Sequence, residues 1–369
     1  MKHLMPKLAV SLLALPAIGL GATLHVANNG VDAPGCGTDT APCRSISAAI
    51  DAAAQDDVVL VRPGKYGDLD GDGVLGSPGE ETGNYNGAVY INKRIKVLST
   101  EGAGATVIRG ISSVPFVVYM DVSGAQFGER NQGFTVYGAN SFGVSNNNMS
   151  GGKVAGNIAQ GMAVGFYIIS TGAEVEVSHN TAIHNYAIGI VGATSGETTG
   201  ATFIHHNTVV GEDNSTGIAA EGVGAHRVVA NTISNNQIGL QVAVGPSRSS
   251  QNIITENFYA VAYGGQCIGC NPAPAGTPTV VRNSLIGNRN AALWVSQVAE
   301  FPITFRSNNI FGNGYGCGIN TSTTVAIDAR QNYWGSSTGP SYQAPANGVC
   351  STNDVVRTQP FSPTEISLK

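Results

Sequence analysis

The densest run of chemistry-bearing side chains is Asp68-Leu69-Asp70-Gly71-Asp72-Gly73, followed closely by Glu80 and Glu81. Alternate aspartates bring their carboxylates toward one point while the glycines let the backbone bend, as in oxygen-rich loops that hold Ca²⁺. The spacing departs from an EF-hand: Gly79 stands where the last Glu would, and Glu80 comes one place late. Tyr66 and Tyr90, on either side, read as strand residues rather than parts of flanking helices. The expectation is a structural Ca²⁺ held by Asp68, Asp70, Asp72 and Glu80, ordering an inserted loop.

A second group lies mid-chain. Glu212, Asp213 and Glu221 are acids of the kind that flank a bond being hydrolysed, and they are also Ca²⁺ ligands by type. His184 and Tyr186 are proton carriers. Elimination from a uronic-acid polymer needs a cation or Arg on the carboxylate, a base at C5 and an acid at the leaving oxygen. These five residues are therefore the candidate catalytic set. Tyr167 and Trp294, with small residues and Gln241 between them in phase, form a strip against which a flat sugar ring can lie. Arg227 and Arg248 share one phase and suit an acidic polymer. Five of seven histidines fall between His179 and His226, and His179 and His206 occupy equivalent positions, a pattern that fits a shared transition metal.

The elements that position these residues follow from a repeat. Asn157, Asn180, Asn207, Asn231, Asn252, Asn283, Asn308 and Asn332 are separated by 23, 27, 24, 21, 31, 25 and 24 residues. Five positions after five of them stands a second Asn (Asn185, Asn236, Asn257, Asn288, Asn313), with Glu212 in that slot once. Three places before each ladder Asn the residues are nearly all apolar, from Val154 and Val177 to Phe305 and Ala329. Two places after, they run from Ala159 and Ala182 to Ile310 and Trp334. A third apolar element recurs around Gly189-Ile190, Gly217-Ile218, Gly239-Leu240 and Gly318-Ile319. Three short alternating segments per repeat predict a coil of parallel strands, each coil burying its apolar face only against its neighbours. Asn is expected at the tight turn because it tolerates the left-handed region, and stacked amides then bond one another up the axis. Four places before each Asn, Lys153 falls beside Glu176 and Arg227 beside Arg248. Ser45 to Gln55 is Ala-rich with a Ser start and predicts a helix over the N-terminal end; the chain from Tyr342 onward is expected over the other end.

The bulk numbers narrow the partners. A chain of 369 residues with 49 Gly, 12% charged residues, a net charge of −5 and a pI near 5.8 offers no broad basic surface for nucleic acid. Residues 1–22 read as a signal peptide, with Lys2 and Lys7 ahead of the apolar run Leu8–Leu20 and small residues after it. No later stretch is long and apolar enough for a membrane anchor. Export to the periplasm or exterior suits six cysteines, whose spacing favours Cys36–Cys43, Cys267–Cys270 and Cys317–Cys350 as disulfides among the pairings open to them.

The pattern resembles the right-handed parallel β-helix superfamily that includes pectate lyases. The likeness covers roughly residues 23–365. It rests on His25-Val26-Ala27-Asn28-Asn29-Gly30, Ala41-Pro42-Cys43-Arg44-Ser45-Ile46 and Val61-Arg62-Pro63-Gly64-Lys65-Tyr66 at the front, continued by Ile91-Asn92-Lys93 and Ala105–Gly110. Asn332-Tyr333-Trp334-Gly335 through Pro340 is similar to the segment that often ends such helices. The resemblance implies one all-β solenoid: 23–110 as an N-terminal capping part, 111–340 as repeat coils and 341–369 as a C-terminal cap and tail. It further implies a polysaccharide partner, and a lyase-like or hydrolase activity on the face formed by the Gly-Ile strands. A non-catalytic glycan- or surface-binding protein is the alternative, and a metal-handling protein resembling the copper-site maturation members is a third reading. Fold cannot choose among them.

Overall fold

The computed structural model describes residues 21–83, 86–138, 141–194, 200–242, 244–264, 276–296, 299 and 301–368. Within them the strands form three parallel sheets of 13, 10 and 11 strands, here sheets A, B and C. One coil shows the plan. Lys153–Ala155 belongs to A, the chain turns at Asn157, Ile158–Gln160 belongs to B, and Val164–Ser170 belongs to C. The next coil repeats this with Val175–Ser178, Thr181–Ile183 and Ile188–Thr194 in register. Because successive strands sit ~4.8 Å apart, equivalent residues form columns along the solenoid.

Those columns explain the sequence phases. Val154, Val177, Ile204, Val228, Ser249, Val280 and Phe305 are partners across sheet A. Ala159, Ala182, Val209, Ile233, Ile254, Leu285 and Ile310 are partners across sheet B. The apolar members of both columns point into one core that runs the length of the coils. Each fully buried aliphatic side chain contributes about 1.5–3 kcal/mol. The small residue ahead of each sheet C strand is a matter of room: a Cβ on Gly217 would lie 2.4 Å from Ile233 Cγ2 and 2.6 Å from the Gly239 carbonyl oxygen.

The asparagine ladder forms, with a correction to its cause. The left-handed residue is the one before each ladder Asn: His179, His206, Ala230, Gln251, Arg282, Ser307 and Gln331 all have φ between 53° and 62°. The Asn itself turns its amide inward. Asn231 Oδ1 accepts from both the backbone N–H and the Nδ2 of Asn207, at 2.9 and 3.0 Å. Its own Nδ2 donates to the Ile204 and Val229 carbonyls and to Asn252 Oδ1. A second ladder runs Asn236–Asn257–Asn288–Asn313–Asn347. Its neighbour below is Ser215, whose hydroxyl donates to Asn236 Oδ1, and not Glu212, which the longer turn leaves exposed.

Both ends differ from expectation. Residues 23–109 are already coils, since Thr23–Val26, Val58–Val61 and Lys96–Ser99 continue sheet A. The helix is shorter than the Ala-rich stretch, spanning Ile46–Ala52 with Ser45 Oγ capping the Ala48 N–H. Buried Glu81 accepts from the N–H groups of Ile46 and Ser47, tying the end of the Asp-rich loop to that helix. At the other end Gly348–Ser351 and Val356–Arg357 add a last partial coil. The tail then turns back along the A–B edge, bonding Asn332 through Ser362, Asn309 through Ile366 and Gln251 through Leu368. Cys36–Cys43 and Cys317–Cys350 are disulfides; Cys267 and Cys270 lie outside the described residues, as do residues 1–20 of the signal segment. No helix among the described residues is long and apolar enough to cross a membrane.

Candidate functional site

Sheet C turns one column of side chains outward: Tyr167, Val191, Ala219, Gln241, Ala262, Trp294 and Asn320 pair in that order. This is the strip read from the glycine phase, with a correction: Val191, Ala219 and Ala262 in its middle are buried, so only its aromatic and polar members are open to a ligand. Trp294 stacks on Tyr259 with ring centres 5.4 Å apart and planes 19° from parallel. Tyr167 leans on Phe142 at 5.3 Å, and Val164, Val191, Ala193 and Ala219 form a small apolar cluster between the two aromatic ends.

The aromatic surface extends further toward the N-terminus than the glycine phase indicates. Phe142 continues to Phe116 at 5.1 Å, Phe116 to Tyr119 at 4.6 Å, and Tyr119 to Tyr90 at 6.2 Å. Tyr90 and Tyr119 lie in the same column as Tyr167, with Ser145 between. Tyr90 O–H donates to Asp121, whose other oxygen accepts from Asn147 Nδ2. The signal is the aromatic content of Gly87–Ile91 and Phe116–Met120, which a phase counted only from Tyr167 onward does not reach.

Glu221 closes the strand Thr216–Glu221, beside Ala193 of the preceding coil. Burial pushes its carboxyl above the usual range. Burial, and then the charge of Glu221, raises the Tyr167 hydroxyl as well. The corner carrying Glu221 is fixed by His226, which is fully buried. The Thr202 N–H donates to His226 Nδ1 at 3.3 Å, so the ring proton sits on Nε2 and is donated to the Glu221 carbonyl oxygen at 2.8 Å. Burial holds His226 down at about 4. It is a positioning group, not the metal ligand suggested by its place in the histidine window.

The five candidate catalytic residues do not meet. His184 approaches Glu212 to 3.9 Å at the B–C turn, both side chains more than half exposed. Tyr186 is also exposed there, and Asp213 is held by Arg289. Glu221 stands at the opposite end of the strand, five residue steps of about 3.3 Å away, roughly 16 Å. One bond cannot be flanked by both groups. The predicted Arg pair is in register, but Arg227 is spent on a bidentate contact with Glu174 at 2.9 and 2.7 Å and lies over Phe203. Lys153 bridges Glu176, as expected, and also Glu129.

In the Asp-rich loop, oxygens of Asp68, Asp70 and Glu80 gather within 4.8 Å of one another, and Asp72 is not part of that group. Asp72 instead accepts the Val74 N–H in its own turn. Asp68 accepts from Gly71 and Gly73, Glu80 from Leu69 and Ser77, and Arg109 Nε stands 3.8 Å from Asp68. The three carboxylates fit a hard cation by type.

No family model and no curated protein matches the chain. Among solved structures, the catalytic unit of a thermostable GH87 α-1,3-glucanase from Streptomyces thermodiastaticus is similar over 86% of this chain, with a TM-score of 0.56 and 14% identity. The chain spans 65% of that catalytic unit. The A-module of the mannuronan C-5 epimerase AlgE6 from Azotobacter vinelandii is similar over 86% of this chain and 94% of the module, with a TM-score of 0.52 and 15% identity. At such identities the likeness carries the architecture alone: the chain is a right-handed parallel β-helix.

Proposed function

We propose that this protein binds an extracellular polysaccharide along the outer face of sheet C, with sugar rings laid on its aromatic side chains. The observation that supports it most is the continuous contact from Tyr90 through Tyr119, Phe116 and Phe142 to Tyr167, with the Tyr259–Trp294 stack further along the same face. Ring faces offer large, pre-ordered contact area at little entropic cost, and Asp121, Asn147 and Gln241 supply polar partners at its margin. The glucanase and the epimerase are named for polysaccharides, and that this chain shares such a partner belongs to the proposal.

A lyase-like activity is the finer reading. Its support is the Glu221–Tyr167 pair, an acid and a phenol both raised by burial on the face where the ligand would lie. On that reading His184, Tyr186, Glu212 and Asp213 are rim contacts. Export follows from the same picture: residues 1–22 serve as signal peptide, Cys36–Cys43 and Cys317–Cys350 form in an oxidising compartment, helix Ile46–Ala52 caps the first coil, and a structural Ca²⁺ sits among Asp68, Asp70 and Glu80.

Affinity gel electrophoresis with alginate, pectate and α-glucans tests the binding. Retardation by at least one polymer is expected, weakened about tenfold by Trp294→Ala or Tyr167→Ala, the equivalent of one aromatic contact of about 1.4 kcal/mol. Mobility unaffected by every polymer, or retardation indifferent to both replacements, would sink it. Growth of unsaturated-uronate absorbance on the polymer that binds would add the lyase step; a flat trace there would remove it.

A further inference from the structure

On the A–B edge, away from sheet C, three imidazoles meet. His205 ends the strand Thr202–His205, His206 is the left-handed residue of the turn, and His179 is its equivalent one coil earlier. The rings of His179 and His206 are parallel within 4° at 5.2 Å, and His205 stands edge-on to both, at 5.8 and 5.1 Å. His205 Nδ1 and His206 Nδ1 face each other at 2.8 Å. Two Nδ1 atoms this close can share only one proton.

We propose that His205 and His206 chelate a Cu²⁺ or Ni²⁺ ion through their Nδ1 atoms, while His179, stacked parallel to His206 one coil away, flanks the pair without joining it. Metal–imidazole bonds are about 2.0–2.1 Å, so two ligands at right angles lie about 2.8–3.0 Å apart, whereas tetrahedral ligands lie about 3.3 Å apart. The 2.8 Å separation, which is that of an N–H···N hydrogen bond, also matches the edge of a square-planar or tetragonal site, the geometry of Cu²⁺ and Ni²⁺ with nitrogen donors. The other nitrogen of His205 is already supported: Nε2 stands 3.3 Å from Glu176 Oε1. A carboxylate on the far side of a ligating imidazole fixes its tautomer and leaves Nδ1 free for metal. Glu176 is itself held by the Ser178 hydroxyl at 2.7 Å and by Lys153 at 3.3 Å. His179 and His206 line a groove of about 460 Å³ that also contains Glu101 and Arg130, so an ion and its remaining ligands have access. The backbone explains why two adjacent histidines can act together. At a strand they would point to opposite faces, but φ of +54° at His206 turns its side chain back toward His205.

Isothermal titration of the untagged full chain with CuCl₂ and NiCl₂, with nitrogen hyperfine structure in the Cu²⁺ electron paramagnetic resonance spectrum, tests the site. One ion per chain is expected, with at least two coordinated nitrogens. His206→Ala and His205→Ala should each weaken binding by a hundredfold or more. Glu176→Gln should weaken it about tenfold through the outer contact. His184→Ala, on the B–C turn, should leave it unchanged, and circular dichroism of the metal-free variants confirms their fold. Wild-type protein that binds neither ion would overturn the proposal, leaving the contact as an N–H···N hydrogen bond. So would binding that survives the His205→Ala/His206→Ala double variant, which would place the ion elsewhere on the chain.

Discussion

His226 makes a specific claim about acid stability. Its ring is fully buried, donates from Nε2 to the Glu221 carbonyl and accepts at Nδ1 from Thr202. Burial depresses it from 6.5 to about 4. The unfolded chain therefore takes up a proton near 6.5 that the folded chain refuses until about 4. The sign follows: the stabilisation is complete above the unfolded value and is lost as pH falls from about 6.5 toward about 4. A gap of about 2.5 in pH, at about 1.4 kcal/mol for each, sets a ceiling of about 3 kcal/mol, most of it lost by about pH 4.5. His226→Asn keeps an acceptor near Nδ1 and cannot titrate. Its fixed cost, from the lost bond to Glu221, is the same at every pH. Urea unfolding followed by circular dichroism at about pH 7 and about pH 4.5 should then show wild type losing about 2–3 kcal/mol more than the variant. Half-buried Glu221 and buried Glu81 are shifted upward and act in the opposite direction in both proteins, and Glu81, at the N-terminal helix, cancels in the difference. Parallel pH profiles would refute the argument, because they would mean that His226 charges in place or is already wet in the folded state.

Two further outcomes follow from the same geometry. Asn231→Ala removes the acceptor of the buried Asn207 N–H and donors to the Ile204 and Val229 carbonyls; at about 1–3 kcal/mol per orphaned group it should cost about 3–5 kcal/mol in urea unfolding, and a loss below about 1 kcal/mol would mean the ladder adds little. Millimolar Ca²⁺ should raise the melting temperature of the wild type by several degrees and leave an Asp68→Asn/Glu80→Gln variant unmoved; an equal rise in both would place the ion outside the Asp-rich loop.

The register of the coils is legible in the sequence because one physical demand fixes it. An inward position must be apolar in nearly every coil, so Val154, Val177 and Ile204 mark their column by residue type and spacing alone. The outward column from Tyr167 to Trp294 comes with it, since side chains alternate across a strand. What periodicity does not carry is the geometry of departures from it. Asn and the residue before it are indistinguishable by spacing as left-handed candidates, and the need for an inward-turned amide decides between them. The turn Gly211–Ser215 is longer than its neighbours, so counting five from Asn207 reaches Glu212 while Ser215 takes the ladder position. The tail's course along the edge depends on contacts such as Ile366 with Asn309, 57 residues apart, for which no repeat gives a phase.

The failure of the five-residue catalytic set has a more general cause. In a solenoid, proximity runs along columns, about 4.8 Å per coil, and across a strand only by alternate residues. Residues close in sequence but on opposite ends of one strand, such as Asp213 and Glu221, are further apart than residues in one column of neighbouring coils. Chemistry between two groups must therefore be sought in a column or around one turn. Glu221 has Ala193 as its column neighbour, which supplies no second carboxylate and no base. The sheet C face thus pairs one carboxyl, Glu221, with the phenol of Tyr167 among many ring faces, which fits the proposed binding better than cleavage. The A–B turn meets the proximity condition twice over: His179 and His206 share a column, and His205 and His206 share a turn.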